Sequence, residues 1–124
     1  MNKVILTGNL CKDIELKQTA TGVSVLQNTV ATKRDFKENG EYITDFINIV
    51  VWRQQAEYLN SYAAKGDLVE LIGRWQVRKY TDQNGNNREA NECVVDNIKI
   101  LKSSKQDPAE PVLDESIDEG DLPF

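Results

Sequence analysis

The sequence predicts an all-β domain, a closed barrel of five strands in Greek-key order with one short helix between the middle strands. Three observations lead there. Short runs rich in Val, Ile and Thr alternate with turn residues through most of the chain, the pattern of strands separated by tight connections. Only one segment carries helical spacing. The chain has 124 residues, enough for one core and a short appendage but not for two domains.

The elements follow in order. "KVILTGNL" (residues 3–10) is a first strand and "VSVLQNTVATKR" (23–34) a long second one. "RDFKENGEYI" (34–43) reads as a charged loop with Gly40 at its turn. "TDFINIVVWR" (44–53) is the clearest strand. In "QQAEYLNSYAA" (54–64), Ala56, Leu59 and Ala63 fall on one helical stripe, and the glycine of "KGD" (65–67) stops the helix. "LVELIGRWQVRKY" (68–80) and "REANECVVDNIKIL" (88–101) are strands joined by "TDQNGNN", where Asn84-Gly85 offers the positive φ angles of a tight turn. A helix between the middle strands of such a set is the order of an OB-fold barrel. A small β-sandwich is the rival architecture.

Composition excludes several classes of chemistry. The chain has no histidine, which removes Ser-His-Asp and Cys-His catalysis and His-ligated zinc. The two cysteines, Cys11 and Cys93, form no Cys-x-x-Cys motif, so reduced thiols in a cytosolic setting are expected rather than a disulfide framework. "MNKVILTGNL" is interrupted by Gly8 and Asn9, too short a run for a signal peptide. No apolar stretch approaches the roughly 18 residues of a membrane span. These features predict a soluble intracellular protein with no membrane partner, in which any catalysis would have to use carboxylates, lysines or a hard metal.

The net charge of −5 is unevenly placed. Residues 1–104 hold 14 Lys and Arg against 13 Asp and Glu, a net of +1, whereas residues 105–124 hold one Lys against seven acids, a net of −6. Such asymmetry marks residues 1–103 as the folded domain and 104–124 as a disordered acidic tail, with a polyanion a candidate partner for the domain.

Two strands carry unusual outer faces. With period 2, Ile47, Ile49 and Val51 make a core row, while Phe46, Asn48, Val50 and Trp52 point the other way. Along residues 74–80, Trp75, Val77 and Lys79 share one side, and Arg74, Gln76, Arg78 and Tyr80 the other. Trp75 is assigned to packing because it alternates with the cationic row. Rings beside guanidiniums suit unpaired nucleic acid, since bases stack on the rings and phosphates meet the cations. Each row also has a plainer reading. Arg74, Gln76 and Arg78 could be a solvated strand face, and Phe46 and Trp52 could pack under the helix or into a subunit contact. Lys33, Arg34 and Lys37 decorate the adjoining loop.

With these residues in hand, the chain resembles the bacterial and phage single-stranded DNA-binding proteins of the homotetrameric type. "MNKVILTGNL", "EYLNSYAAKGDLVELIGR", "RKYTDQNGNNR" and the closing "DLPF" carry the resemblance. It implies an OB-fold and a homotetramer that wraps single-stranded DNA, without catalysis or cofactor, in the cytoplasm at the nucleoid. Phe46, Trp52 and Tyr80 match the family's base-stacking positions, and Lys65, Arg78 and Lys79 match basic ones. Lys3, Lys33, Arg34 and Arg74 complete the expected phosphate contacts. Lys33 and Arg34 stand where a further stacking ring is sought, and Phe36 is its nearest substitute.

The last four residues, Asp121, Leu122, Pro123 and Phe124, place apolar side chains at the end of an acidic segment. By itself this is either a solubilising tail or a docking peptide, with Leu122 and Phe124 entering a partner's pocket and the terminal carboxylate meeting a cation at its rim. The resemblance favours docking of replication, recombination and repair proteins. Two other functions fit the fold class. One is an RNA-binding OB or cold-shock-like module. The other is a metal-dependent nuclease drawing on Asp13, Glu15, Asp35, Asp45 and Asp82, which are scattered over turns.

Overall fold

Residues 1–103 are described by the computed structural model; the tail, including Asp121, Leu122, Pro123 and Phe124, lies outside the described residues. Among those described, the strands are β1 (Val4–Leu10), β2 (Leu16–Gln18), β3 (Ser24–Glu38), β4 (Glu41–Trp52), β5 (Leu68–Thr81) and β6 (Asn87–Lys102), with helix α1 (Arg53–Tyr62) between β4 and β5. The sheet runs β1-β5-β6-β4-β3, and a further β1–β3 pairing closes it into a five-stranded barrel. The short β2 extends the edge of β3, pairing Leu16 with Leu26. β4 and β6 pair in parallel, whereas the other pairs are antiparallel. This closed ring, with its helix after β4, is an OB-fold.

Closure depends on two glycines. Asn9 and Leu10 of β1 pair with Ala31 and Val30 of β3. A Cβ on Gly8 would collide with the Ala31 carbonyl oxygen, and one on Gly73 with that of Val94. Gly73 adjoins a register shift between Ile72 and Gly73 in the β5–β6 pairing, where the strand bends as a barrel corner requires. Backbone hydrogen bonds then lock the seam, with Leu10 donating to Asp67 at 2.9 Å and Cys11 to Thr29 at 2.8 Å. The buried Asn28 side chain accepts from the Lys12 and Thr29 amides and donates to the Lys12 carbonyl. Its polar atoms are satisfied, as burial demands.

The interior is filled by the apolar row of each strand. Leu26, Val30, Ile49, Val51, Val69, Leu71, Cys93 and Ile98 are buried together. The helix caps one end of the barrel through Ala56 and Leu59, and Ala63 just beyond it is also fully buried. Its polar side chains are tied to β6: the Ile98 amide donates to Gln55 at 2.9 Å and the Ile100 amide to the Tyr58 hydroxyl at 3.1 Å. The Cys93 thiol is pushed up by desolvation and by nearby Asp96, which suits an inert core residue.

Three expectations need correction. Residues 34–43 form no loop; β3 and β4 run on to Glu38 and Glu41 around the two-residue turn Asn39-Gly40. Both turn residues have positive φ, 53° and 82°, as a type I′ hairpin needs. At the β5–β6 turn only Gly85 has positive φ. The Gly85 amide donates to the Asp82 carbonyl at 3.0 Å, the geometry of a three-residue loop with a left-handed glycine rather than a two-residue one. Trp75 is half-exposed and outside the core cluster; its backbone is instead clamped by the Asn2 side chain, at 2.8 Å on both sides.

Because the obstacle at Gly8 is backbone that cannot swing aside, Gly8→Ala is expected to destabilise the fold by about 1–3 kcal/mol or more. The exposed neighbour substitution Thr7→Ala is expected to stay within about 0.5 kcal/mol. Urea unfolding of the two variants checks the difference.

Candidate nucleic-acid interface

The outer face of the barrel is assembled from three adjacent strands. β4 presents Tyr42, Thr44, Phe46, Asn48, Val50 and Trp52 on one side by simple alternation. Val50 is level with Val94 of β6, and Val94 with Arg74 of β5. Continuing along β5, Gln76, Arg78 and Tyr80 are opposite Glu92, Ala90 and Arg88. The two rows singled out in the sequence therefore share one face, with β6 between them.

The rings are open to solvent. Phe46 is 66%, Trp52 40%, Tyr80 43% and Phe36 60% exposed. Val50, on the same row, is buried instead and floors a groove of about 600 Å³. Trp52 lines that groove together with Val25, Gln27, Gln76, Arg78 and Glu92. Trp52 also ends β4, where Arg53 takes the left-handed φ of 58° that turns the chain into α1. The wall of the groove is thus a tight strand-to-helix turn.

The charges are more balanced than a simple cationic trough. The groove is lined by Lys12, Lys17 and Arg78, but also by Asp13, Glu15 and Glu92. Glu92 is 5% exposed. It accepts from Gln76 Nε2 at 3.3 Å and from Arg78 Nη2 at 3.4 Å. The Arg78 guanidinium also lies 5.3 Å from the centre of the Tyr80 ring, within cation–π range. Arg78 is therefore held between a buried carboxylate and a ring, which steadies Tyr80 as much as it offers charge.

The other expected cations are dispersed. Arg74 donates to Gln76 at 3.3 Å on the same row. Lys79 alternates to the opposite side of β5, with Trp75 and Val77. Lys3 pairs with Asp96 at 3.8 Å, and neither it nor Lys65 lines the groove. Arg34 is bound to Asp45 by two bonds of 2.9 and 3.0 Å. That hydrogen bonding lowers the Asp45 carboxyl and raises the Arg34 guanidinium from their ordinary values. Sequence reasoning missed Tyr42, an exposed ring on the Phe46 row. The turn pair Asn39-Gly40, read as a hairpin signal, would have extended the strand far enough to find it.

The carboxylates proposed for metal chemistry do not assemble; among the described residues no group of three or more His, Cys, Asp or Glu could hold a metal ion. No helix among them is long and apolar enough to cross a membrane.

This barrel corresponds to a known family: the model of the single-strand binding protein family matches residues 1–101. The chain belongs to that family. It is 46% identical over 104 residues to a single-stranded DNA-binding protein of Streptococcus mutans, a stretch covering 83% of this chain and 63% of that protein. It is 44% identical to the single-stranded DNA-binding protein of Streptococcus pneumoniae, covering 83% of this chain and 67% of the relative. Single-stranded DNA-binding protein 2 of Streptococcus pyogenes is 45% identical, with 83% and 64% covered. The match thus spans about two thirds of the length of these curated relatives.

The loop that carries Tyr80 outward is organised by Asp82. Its Oδ1 accepts from the Asn84 and Asn86 amides at 2.9 Å, and its Oδ2 from Arg88 Nε at 2.9 Å. The Arg88 bond, with the Asn86 and Asn84 amides, lowers this carboxyl from its ordinary value of 3.8. A depressed pKa means that the stabilisation is present above the unfolded value and lost as pH falls through the folded one. The loop is therefore expected to keep its amide protection at pH 3.8 and open only below it. In Asp82→Asn this acid step disappears. Hydrogen exchange at Asn84 and Asn86 across the acid range reads both outcomes.

Proposed function

We propose that the chain binds single-stranded DNA without regard to sequence, coating and protecting it during replication, recombination and repair. The observation that carries this is the exposure of Phe46, Trp52 and Tyr80 on one face of the barrel, where Trp52 also lines a groove. Every base offers a π face, so ring stacking tolerates any sequence. Phe36 lies in the irregular stretch between Lys33 and Lys37 of the β3–β4 hairpin and is a fourth candidate ring. Arg78, Lys12 and Lys17 are the cations at the groove itself; Lys3, Lys33, Arg34, Lys65, Arg74 and Lys79 are further candidates for phosphates. The names of the streptococcal relatives agree with this reading.

The working unit in this proposal is a homotetramer acting at the nucleoid. Ile5, Trp75 and Val77 are apolar side chains left exposed on β1 and β5, as an uncovered subunit contact would leave them. Residues 1–103 form the binding and assembly domain. Residues 104–124 supply an acidic tail, in which Leu122 and Phe124 are docking side chains for replication, recombination and repair proteins.

Titration with poly(dT) is expected to quench tryptophan fluorescence in the wild-type protein, and Trp52→Ala to leave only the response of Trp75. Trp52→Ala and Tyr80→Ala are each expected to weaken binding by about 1–3 kcal/mol with the melting temperature and oligomer size retained. Unchanged affinity in both variants refutes the stacking surface.

Cutting the chain after Ser104 removes a net charge of −6. The truncated protein is expected to bind DNA more tightly at low salt, because the acidic segment no longer competes for the cations, and to lose partner recruitment. Pull-down of a host replication or repair protein that proceeds equally with the truncated chain rules out the docking role.

A further inference from the structure

The hairpin that replaces the expected loop sorts its charges by face. On β4, Tyr42, Thr44 and Phe46 alternate with Glu41, Ile43 and Asp45. Cross-strand pairing sets Lys37 opposite Tyr42 and Lys33 opposite Thr44, both on the aromatic side. Between them β3 carries three residues, Arg34, Asp35 and Phe36, where β4 has only Ile43. Within this bulge Arg34 reaches Asp45 and neutralises it. Glu38 is opposite Glu41, so these two acids share the other side. One face of the ribbon thus shows two ammonium groups and two rings, and the other carries Glu38, Glu41 and the paired Asp45.

The cationic face converges on one ring. Lys37 Nζ lies 5.0 Å and Lys33 Nζ 5.8 Å from the centre of the Tyr42 ring. Neither lysine forms an ion pair among the described residues. Tyr42 is nevertheless 52% exposed, so the ring keeps surface available for stacking. It lies four residues along the same strand face from Phe46, about 13 Å at the usual rise. That places it beyond the groove but in line with the rings.

We propose that Tyr42, flanked by Lys33 and Lys37, is a further nucleobase-stacking subsite that extends the single-strand path onto the β3–β4 hairpin. The proposal rests on the stacking reading of Phe46, Trp52 and Tyr80. A base stacked on Tyr42 brings its own phosphates beside two ammonium groups, where charge adds to stacking. The alternative is purely structural: two lysine stems that staple an exposed ring to its hairpin.

The test measures the affinity of the full chain for dT oligomers long enough to span the barrel face and the hairpin, across a salt series. Tyr42→Leu is expected to weaken binding about five-fold or more, and Tyr42→Phe to restore it, since the ring and not the hydroxyl stacks. The double variant Lys33→Gln/Lys37→Gln is expected to flatten the slope of log affinity against log salt by about 0.7 for each phosphate no longer neutralised. A structural staple does not move that slope in a folded protein, so an unchanged slope overturns the subsite. Wild-type affinity in Tyr42→Leu, with Trp52→Ala weakened, overturns it while leaving the stacking reading intact. Wild-type affinity in Tyr42→Leu, Trp52→Ala and Tyr80→Ala together overturns both.

Discussion

The molecule depends on a backbone-to-backbone approach at one seam. β1 is paired on one side with β5 and on the other with β3, and it can reach both only because Gly8 has no side chain. A sheet of five strands left open would expose two edges of unpaired amides and carbonyls. Closing it removes those edges and creates an interior that Leu26, Val30, Ile49, Val51 and Cys93 fill from opposite walls. Gly73 plays the matching part across the β5–β6 pairing, where the strand bends under Val94. The helix closes one end of that interior and is hydrogen-bonded to β6 through Gln55 and Tyr58.

Once the interior is filled, the outer face of β4, β5 and β6 is free of any duty to the core. It can then carry Phe46, Trp52 and Tyr80 in the open. Single exposed apolar residues are common on protein surfaces, but a series of rings on one sheet face is the kind of feature that marks a binding surface. Two of the rings are built into the fold: the Trp52 backbone enters the turn into α1, and Tyr80 is flanked by Arg78, itself bonded to Glu92. Rings held in place lose little freedom when a ligand arrives, so more of their contact energy survives as affinity.

Much of this was legible in the sequence because period 2 and period 3.6 are direct consequences of backbone geometry. The rows 46–52 and 74–80, the helical stripe Ala56, Leu59 and Ala63, and the inner row Ile47, Ile49 and Val51 all follow from counting. What counting missed has physical reasons. Residues 34–43 are rich in charge, and charge on both sides of a two-stranded ribbon hides the apolar alternation on which strand recognition depends. The bulge between Lys33 and Lys37 breaks the period as well. Trp75 reads as a packing residue because it alternates with cations, yet alternation identifies a face without saying what covers it. β2 has only three residues, too few for any period to show. The pairing of Arg78 with Glu92 joins residues 14 apart, an interaction set by β5–β6 register rather than by local pattern.

Charge and stacking divide the proposed work in a way the composition conceals. A groove lined by three cations and three carboxylates has little net attraction for phosphates, and exposed charges are screened beyond about 8–10 Å at ordinary salt. Stacking is not screened, and contributes on the order of 1–3 kcal/mol per base. In this proposal stacking on Trp52 at the groove, and on Phe46 and Tyr80 along the same face, supplies most of the affinity. Arg78 divides its charge between Glu92 and the Tyr80 ring. The hairpin is arranged differently, with Glu38, Glu41 and Asp45 on one face and Lys33 and Lys37 on the other. Salt sensitivity should accordingly be concentrated at the hairpin and sequence tolerance at the groove. A single barrel can thereby hold a strand firmly by its bases while leaving the backbone contacts loose enough to shift.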